Sequence, residues 1–203
     1  MKHIITLILC LFALSASAQS QQQIIKQIST AAQQMKTMQC SFTQTKHLKM
    51  LNDKMVSKGR MYYQQPNKLR WEYTTPYTYT FILNDTKVLL KKGTRNDVIN
   101  VNQNKMFREI ARMMMNSVVG QCLTDTKSFK TTIATTATEY VATLLPQKKD
   151  MKQMWTKLVV HFNRQKAVVS TVEMYEKNGD STVIEMQNVK TNTPVSATVF
   201  SIN

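Results

Sequence analysis

With 203 residues the chain is long enough for one domain with a substantial core, even after an N-terminal leader is set aside. A formal net charge of +15 would ordinarily bring nucleic acid forward, but the bases are spread without a dense cluster and the chain opens on what reads as an export signal; a nucleic-acid partner is excluded, leaving solvated strand faces or a surface drawn to anionic lipid headgroups or acidic proteins. Beyond that leader no stretch approaches the roughly twenty apolar residues that span a bilayer, which excludes a helical membrane protein.

Lys2 and His3 precede an apolar run from Ile4 to Leu14, and Ala16-Ser17-Ala18 supplies small residues where a signal peptidase reads. A signal peptide over residues 1–18 is therefore expected, with residues 19–203 forming a single domain, soluble in the periplasm and monomeric. Cys10 does not read as a lipoprotein acylation site, because Leu9 stands where a small residue is needed. Gln21 to Met38 reads as an amphipathic helix: Ile24, Ile28, Ala31, Met35 and Met38 recur at spacings of four and three, and Ile25 and Ala32 widen the stripe.

Strands follow over Cys40–Lys49 and Met55–Gln64, parted by an Asn52-Asp53 turn. After a Pro66-Asn67 turn, Lys68 to Tyr73 alternates strictly, sending Leu69, Trp71 and Tyr73 to one face and Lys68, Arg70 and Glu72 to water. Past Thr75-Pro76 the alternation resumes, with Tyr77, Tyr79, Phe81 and Leu83 on one face and Thr78, Thr80, Ile82 and Asn84 opposite. These two antiparallel strands carry large side chains toward a common side, which is either a core or a cavity. Lys87–Lys91 and Val98–Val101 complete the first run of strands, with a turn over Gly93–Asp97 between them.

A second helix, capped by Asn102 or Asn104 and stopped by Gly120, carries the stripe Met106, Phe107, Ile110, Met113, Met114 and Val118. Strand signals return over Phe129–Thr135, Glu139–Leu145, Lys157–Asn163, Ala167–Glu176 and Ser181–Lys190, with Gln147–Trp155 a short helix or loop and Asn178-Gly179-Asp180 a hairpin turn. About ten strands with no helix alternating between them predict a mainly β (α+β) fold. The expected architecture is a strongly curved antiparallel sheet, or incomplete β-barrel, with amphipathic helices as a lid over its apolar concave face.

From strand and helix phase, the lining of that concave face is expected to comprise Leu69, Trp71, Tyr73, Tyr79, Phe81, Met106, Ile110, Met113 and Met114. Methionines crowd the second helix, either as ordinary core or as a soft surface for apolar partners of varied shape. Past the leader the only histidines are His47 and His161, and no Cys-x-x-Cys, His-x-x-x-His, Gly-x-Ser-x-Gly or phosphate-binding glycine loop occurs. The acids Asp53, Glu72, Asp97, Glu109 and Asp125 lie far apart in sequence. No enzyme, metal site or cofactor is therefore expected. Cys40 and Cys122 leave two readings open: a disulfide, which would constrain the unfolded chain by roughly 4.5 kcal/mol, or two separate buried thiols.

Phe42-Thr43-Gln44, Gly59, Pro66, Leu69-Arg70-Trp71-Glu72-Tyr73, Pro76, Asn84-Asp85 and Val88-Leu89-Leu90 follow in an order and spacing that resembles the periplasmic outer-membrane lipoprotein carrier family. Leu145-Pro146-Gln147-Lys148 leading to Lys157-Leu158-Val159-Val160-His161-Phe162 resembles its second half. The resemblance implies an incomplete barrel closed by a helical lid. It also implies a cavity that takes the acyl chains of lipoproteins from an inner-membrane ABC-type release complex and delivers them to an outer-membrane acceptor or the membrane surface. Two positions depart from the family's pattern: Gln65 stands where a basic residue hydrogen-bonds the lid shut, and Thr86 stands where the turn after Asn84-Asp85 has glycine. The alternatives are a carrier of other apolar ligands, an envelope protein-interaction or sensing module with a filled concave face, and, least supported, an enzyme acting on envelope lipids.

Overall fold

The computed structural model describes residues 21–202. The expected signal peptide over 1–18, Cys10 included, lies outside the described residues, as do the side chains of Lys105, Met106, Ile110, Met113, Ser117 and Val118 within the second helix. A first helix, α1 (residues 21–34), leads into β1 (Thr37–Leu48). A meander follows through β2 (Asp53–Gln64), β3 (Lys68–Thr75), β4 (Tyr79–Asn84), β5 (Lys87–Lys92) and β6 (Arg95–Asn100). Helix α2 (Lys105–Val119) then takes the chain across to the opposite edge of the sheet. From there β7 (Phe129–Thr135), β8 (Glu139–Pro146), the short α3 (Lys149–Met154), β9 (Trp155–Asn163), β10 (Val168–Glu176) and β11 (Ser181–Thr191) step back inward.

The eleven strands form one antiparallel sheet in the order β6-β5-β4-β3-β2-β1-β11-β10-β9-β8-β7. β1 lies between β2 and β11, pairing from Thr37↔Gln64 to Leu48↔Asp53 on one side and from Met38↔Thr191 to His47↔Ser181 on the other. β6 and β7 are the edges, so the curved sheet is not closed into a barrel.

Local chemistry explains the element ends. The Asn104 side chain accepts from the Phe107 amide at 3.2 Å and caps α2, while Gly120, with φ of 75°, ends it in the left-handed region that suits glycine. Asn52 and Asp85 take positive φ in the β1–β2 and β4–β5 turns, as short polar residues tolerate.

Three expectations on element ends are corrected. The first helix stops at residue 34 rather than at Met38, because Thr37 pairs with β2 and Met38 with both β2 and β11; Met38, Cys40 and Phe42 are the inward positions of that strand. β6 begins at Arg95, inside the expected Gly93–Asp97 turn, since Lys92↔Arg95 starts its ladder with β5. Tyr77 falls outside β4 and is exposed.

One face of the sheet is covered by the helices. Ile24, Ile28 and Ala32 of α1 and Ala111 and Val119 of α2 join Phe42, Met61, Leu69, Trp71, Phe81 and Phe162 of the sheet in a single core. The other face is not simply solvated: the C-terminal segment lays Phe200, Val199, Val195 and Ile202 over Ile82 and Leu89. Arg70, expected to face water, donates to the Val199 carbonyl at 3.3 Å and pairs with Glu72 at 3.0 Å, and Asn84 donates to the Phe200 carbonyl at 3.1 Å. Burial of Ile82 behind this strap, and of Thr80 on the same face, is what the alternation alone did not predict.

The tightest point of the core is Gly59. A Cβ there would stand 2.0 Å from the Glu72 carbonyl oxygen and 2.6 Å from the Phe42 ring, which lies over the glycine. Gly59→Ala should therefore destabilise the fold by roughly 3 kcal/mol, lowering the melting temperature by about 10 °C. Gly93→Ala, whose Cβ meets open space at φ of 60°, should lose only the roughly 1 kcal/mol of a left-handed alanine. Thermal melts followed by circular dichroism compare the two.

Candidate functional site: the lid-covered aromatic face

Because Gly59 leaves room above the strand, the Phe42 ring settles against β3, its centroid 4.5 Å from that of Trp71 and, edge-on, 5.3 Å from that of Tyr73. Cross-strand pairing then places Leu69 beside Leu83, Trp71 beside Phe81 and Tyr73 beside Tyr79. Among the expected lining residues Leu69, Trp71 and Phe81 are buried, at 0, 6 and 5% exposure, which decides that this face is packed against protein in the state described. Tyr73 and Tyr79 are half-buried and pack on the same core. Burial raises both phenols above their ordinary pKa, and the Tyr73 hydroxyl donates to Gln44 Oε1 at 2.9 Å. The strip is thus largely apolar at depth, where the Trp71 indole N–H is buried without a hydrogen-bond partner, and its hydroxyls lie at the rim.

From the second helix Met114 is half-buried and packs against the core, as do Met115 and Phe107. Met106, Ile110 and Met113 belong to α2, but their side chains lie outside the described residues.

Helix α1 packs into the same core. Its apolar side supplies Ile24, Ile28 and Ala32 to the core, and two polar side chains of the sheet hold it in place. Gln65, in the β2–β3 turn, donates from Nε2 to the carbonyls of Ala32 and Gln33 at 3.3 and 3.1 Å, and its backbone amide donates to the Lys36 carbonyl at 2.9 Å. The first two are carbonyls of the last helical turn, where the helix's own ladder runs out and the Ala32 carbonyl has otherwise the Met35 amide at 3.3 Å. On the far side, the Tyr140 hydroxyl of β8 donates to Gln27 Oε1 at 3.1 Å. A neutral amide therefore bonds to the end of the helix at the position where the family resemblance implies a basic residue.

Cys40 and Cys122 are not joined: both are free, buried thiols, Cys40 opposite Met61 in the β1–β2 ladder and Cys122 in the single 3-10 turn after α2. Each is taken up by its own surroundings, and burial pushes both thiols up to about 12, so neither supplies a thiolate near neutral pH. Cys122 borders a small cavity of about 30 Å³ with Phe129, Leu144, Met151, Leu158 and Val160, room for about one water. Among the described residues, none of the expected lining residues borders it.

One cluster was not foreseen. His161, on the outer face between the buried Val160 and Phe162, has Nδ1 3.0 Å from Glu139 Oε2 and Nε2 3.0 Å from Glu173 Oε1. The acids are far from His161 in sequence and meet it only through the β8–β9–β10 register, where Val141 and Thr171 flank it. Ser170 Oγ donates to Glu139 and the Tyr175 hydroxyl to Glu173, so the group reads as a cross-brace between strands. Among the described residues no group of three or more His, Cys, Asp or Glu side chains, this one included, is placed to hold a metal ion.

The family model described as "Outer membrane lipoprotein carrier protein LolA" matches residues 33–203. No curated protein matches the sequence. Among solved structures, the MucA/MucB complex of Pseudomonas aeruginosa aligns with a TM-score of 0.54 at 10% identity, covering 88% of this chain and 59% of that one. The chain thus spans about three fifths of the length of that relative. An uncharacterized conserved protein from Thermus thermophilus aligns at 0.54 with 9% identity, over 89% of this chain and 92% of that one. A DUF1329 family protein from Desulfovibrio piger aligns at 0.50 with 10% identity, over 91 and 97%. At such identities the likeness to these structures is one of fold.

If Gln65 is the latch, Gln65→Ala should leave the sheet intact and free the end of α1. Removing its side-chain bonds, worth about 1 kcal/mol net, should speed amide exchange across residues 21–34 roughly fivefold, with β1 and β11 amides unchanged. Hydrogen exchange read by mass spectrometry checks this; equal protection in both proteins would remove Gln65 from the latch.

Proposed function

From the premise that the chain belongs to the LolA family of outer membrane lipoprotein carrier proteins, shown by the match over residues 33–203, we propose that it is a periplasmic, non-enzymatic carrier, a single monomeric domain over residues 19–203. It takes acylated lipoproteins from an inner-membrane ABC-type release complex and gives them up at the outer membrane. The observation that carries the reading is the build of the lid. A continuous aromatic strip shares its core with a helix held by apolar packing and by hydrogen bonds from Gln65 and Tyr140.

The physical problem is plain. A triacylated lipoprotein exposes several tens of methylene groups, each unfavourable in water by roughly 0.8 kcal/mol. In the state described, Ile24, Ile28 and Ala32 share one continuous core with the apolar strip, and Ile28 lies beside Gly120 and Phe162. Acyl chains would take their place as α1 swings out, exchanging one apolar contact for another. The free-energy difference between the closed, empty state and the open, loaded state is then small, as a carrier that must release its cargo requires. Half-buried tyrosines and methionines at the rim adapt to chains of different length without fixing any atom.

The filled strip also suits a second reading, an interaction module whose inner face never opens; MucB, a relative in fold, is found in complex with MucA. Native mass spectrometry with a synthetic triacylated lipopeptide separates the two. The carrier reading expects one lipopeptide per chain together with a shift in Trp71 emission in a Trp155→Phe background. A chain that stays empty at saturating lipopeptide sinks it in favour of the module.

A further inference from the structure

Met50 and Leu51, at the tip of the β1–β2 hairpin, are 92 and 71% exposed, and Met55 and Val56 just behind them 49 and 42%. Exposure of this kind does nothing for folding, and its concentration in one place marks an interaction surface. The register shows how far the tip stands out. β3 ends at Thr75 opposite Lys58, so the Asp53–Ser57 stretch of β2 runs roughly 17 Å beyond it. The tip is also built rather than loose: Lys49–Leu51 forms a 3-10 turn, Asn52 takes φ of 47°, and the Lys49 amide donates to Asp180 Oδ1 at 2.9 Å, tying the tip to the neighbouring β10–β11 turn.

The same end of the sheet carries Tyr77 in the β3–β4 turn and Met154 at the end of α3, 47 and 51% exposed; the Met154 carbonyl accepts from Lys177 in the β10–β11 turn at 3.1 Å. Around the hairpin stand the exposed Lys49, Lys54, Lys58 and Lys177 against the acids Asp53 and Asp180, while Lys46 is paired with Glu176 at 3.1 Å. Lys91 and Lys92 at the end of β5 and Lys149 and Lys152 on α3 add further exposed charge at this end.

We infer that this end is a membrane-docking surface: Met50 and Leu51 enter the interfacial layer of a bilayer containing anionic phospholipid, and the surrounding lysines rest on its headgroups. Shape and charge select this occupant. A protruding apolar tip needs a partner that yields around it, and a ring of lysines needs one with diffuse negative charge. The inference stands apart from the carrier reading, because docking requires nothing of the lid-covered face.

Sedimentation with vesicles tests it. The protein should pellet with vesicles of phosphatidylcholine containing phosphatidylglycerol, less so as salt is raised, and far less with phosphatidylcholine alone. Met50→Asp combined with Leu51→Asp should reduce partitioning roughly tenfold or more while leaving the melting temperature unchanged, since both side chains are exposed. Equal sedimentation of this variant and the wild type, no sedimentation with the anionic vesicles, or no preference for them over neutral ones would each overturn docking. Lipopeptide uptake in free solution, read on the same variant by native mass spectrometry, keeps the two ideas apart. Uptake retained with vesicle binding lost supports docking at the tip, and vesicle binding without uptake in the wild type overturns only the carrier.

Discussion

The pairing of β1 with β11 is the constraint on which the rest of the molecule depends. It joins the first strand of the chain to the last, and so forces the sheet to grow outward from its middle in two arms. The first arm ends at β6 and the second begins at β7, which leaves one long crossing between the edges, made by α2. With both helices committed to one face, that face becomes the core and the other must find its own cover. The C-terminal segment, which emerges from β11 in the middle of the sheet, is placed to supply it.

Within that frame a few close contacts decide what the inner face can be. The ring of Phe42 seated over Gly59 draws Trp71 and Tyr73 into one aromatic strip, and a larger residue at 59 would force the strands apart. The strip has no charged group of its own at depth, and the polar atoms that meet α1 lie at the margins, on Gln65 and Tyr140. A helix attached in this way is well covered but weakly committed, because its packing is non-directional and its hydrogen bonds can be replaced by water.

Much of this was legible in the sequence, and the parts that were not have physical reasons. Strict alternation over Lys68–Tyr73 and the turn residues between strands marked the hairpins, because a sheet with one buried face imposes a period of two. Met38 fitted both a helical and a strand period, and only the ladders with β2 and β11 assign it to β1. Arg95–Asp97 has little strand propensity and is held by its pairing with β5. Ile82 looked solvent-facing because the strap that covers it comes from residues over a hundred positions away and carries no periodic signal. Among the expected site residues, Leu69, Trp71 and Phe81 lie together as phase required, and Gln65 bonds to the end of α1. The thiols Cys40 and Cys122 and the Glu139–His161–Glu173 brace depend on register across distant strands, which composition and spacing do not encode.

The unjoined edges bear on mechanics. In a closed barrel the girth is set by strand number and shear, and no ladder can be spared without breaking hydrogen bonds. Here β6 and β7 share no ladder, so the sheet behaves as a split ring. Its radius can change by small adjustments of twist spread over ten interstrand ladders, each keeping its hydrogen bonds. The wall of such a ring can give as a spring does.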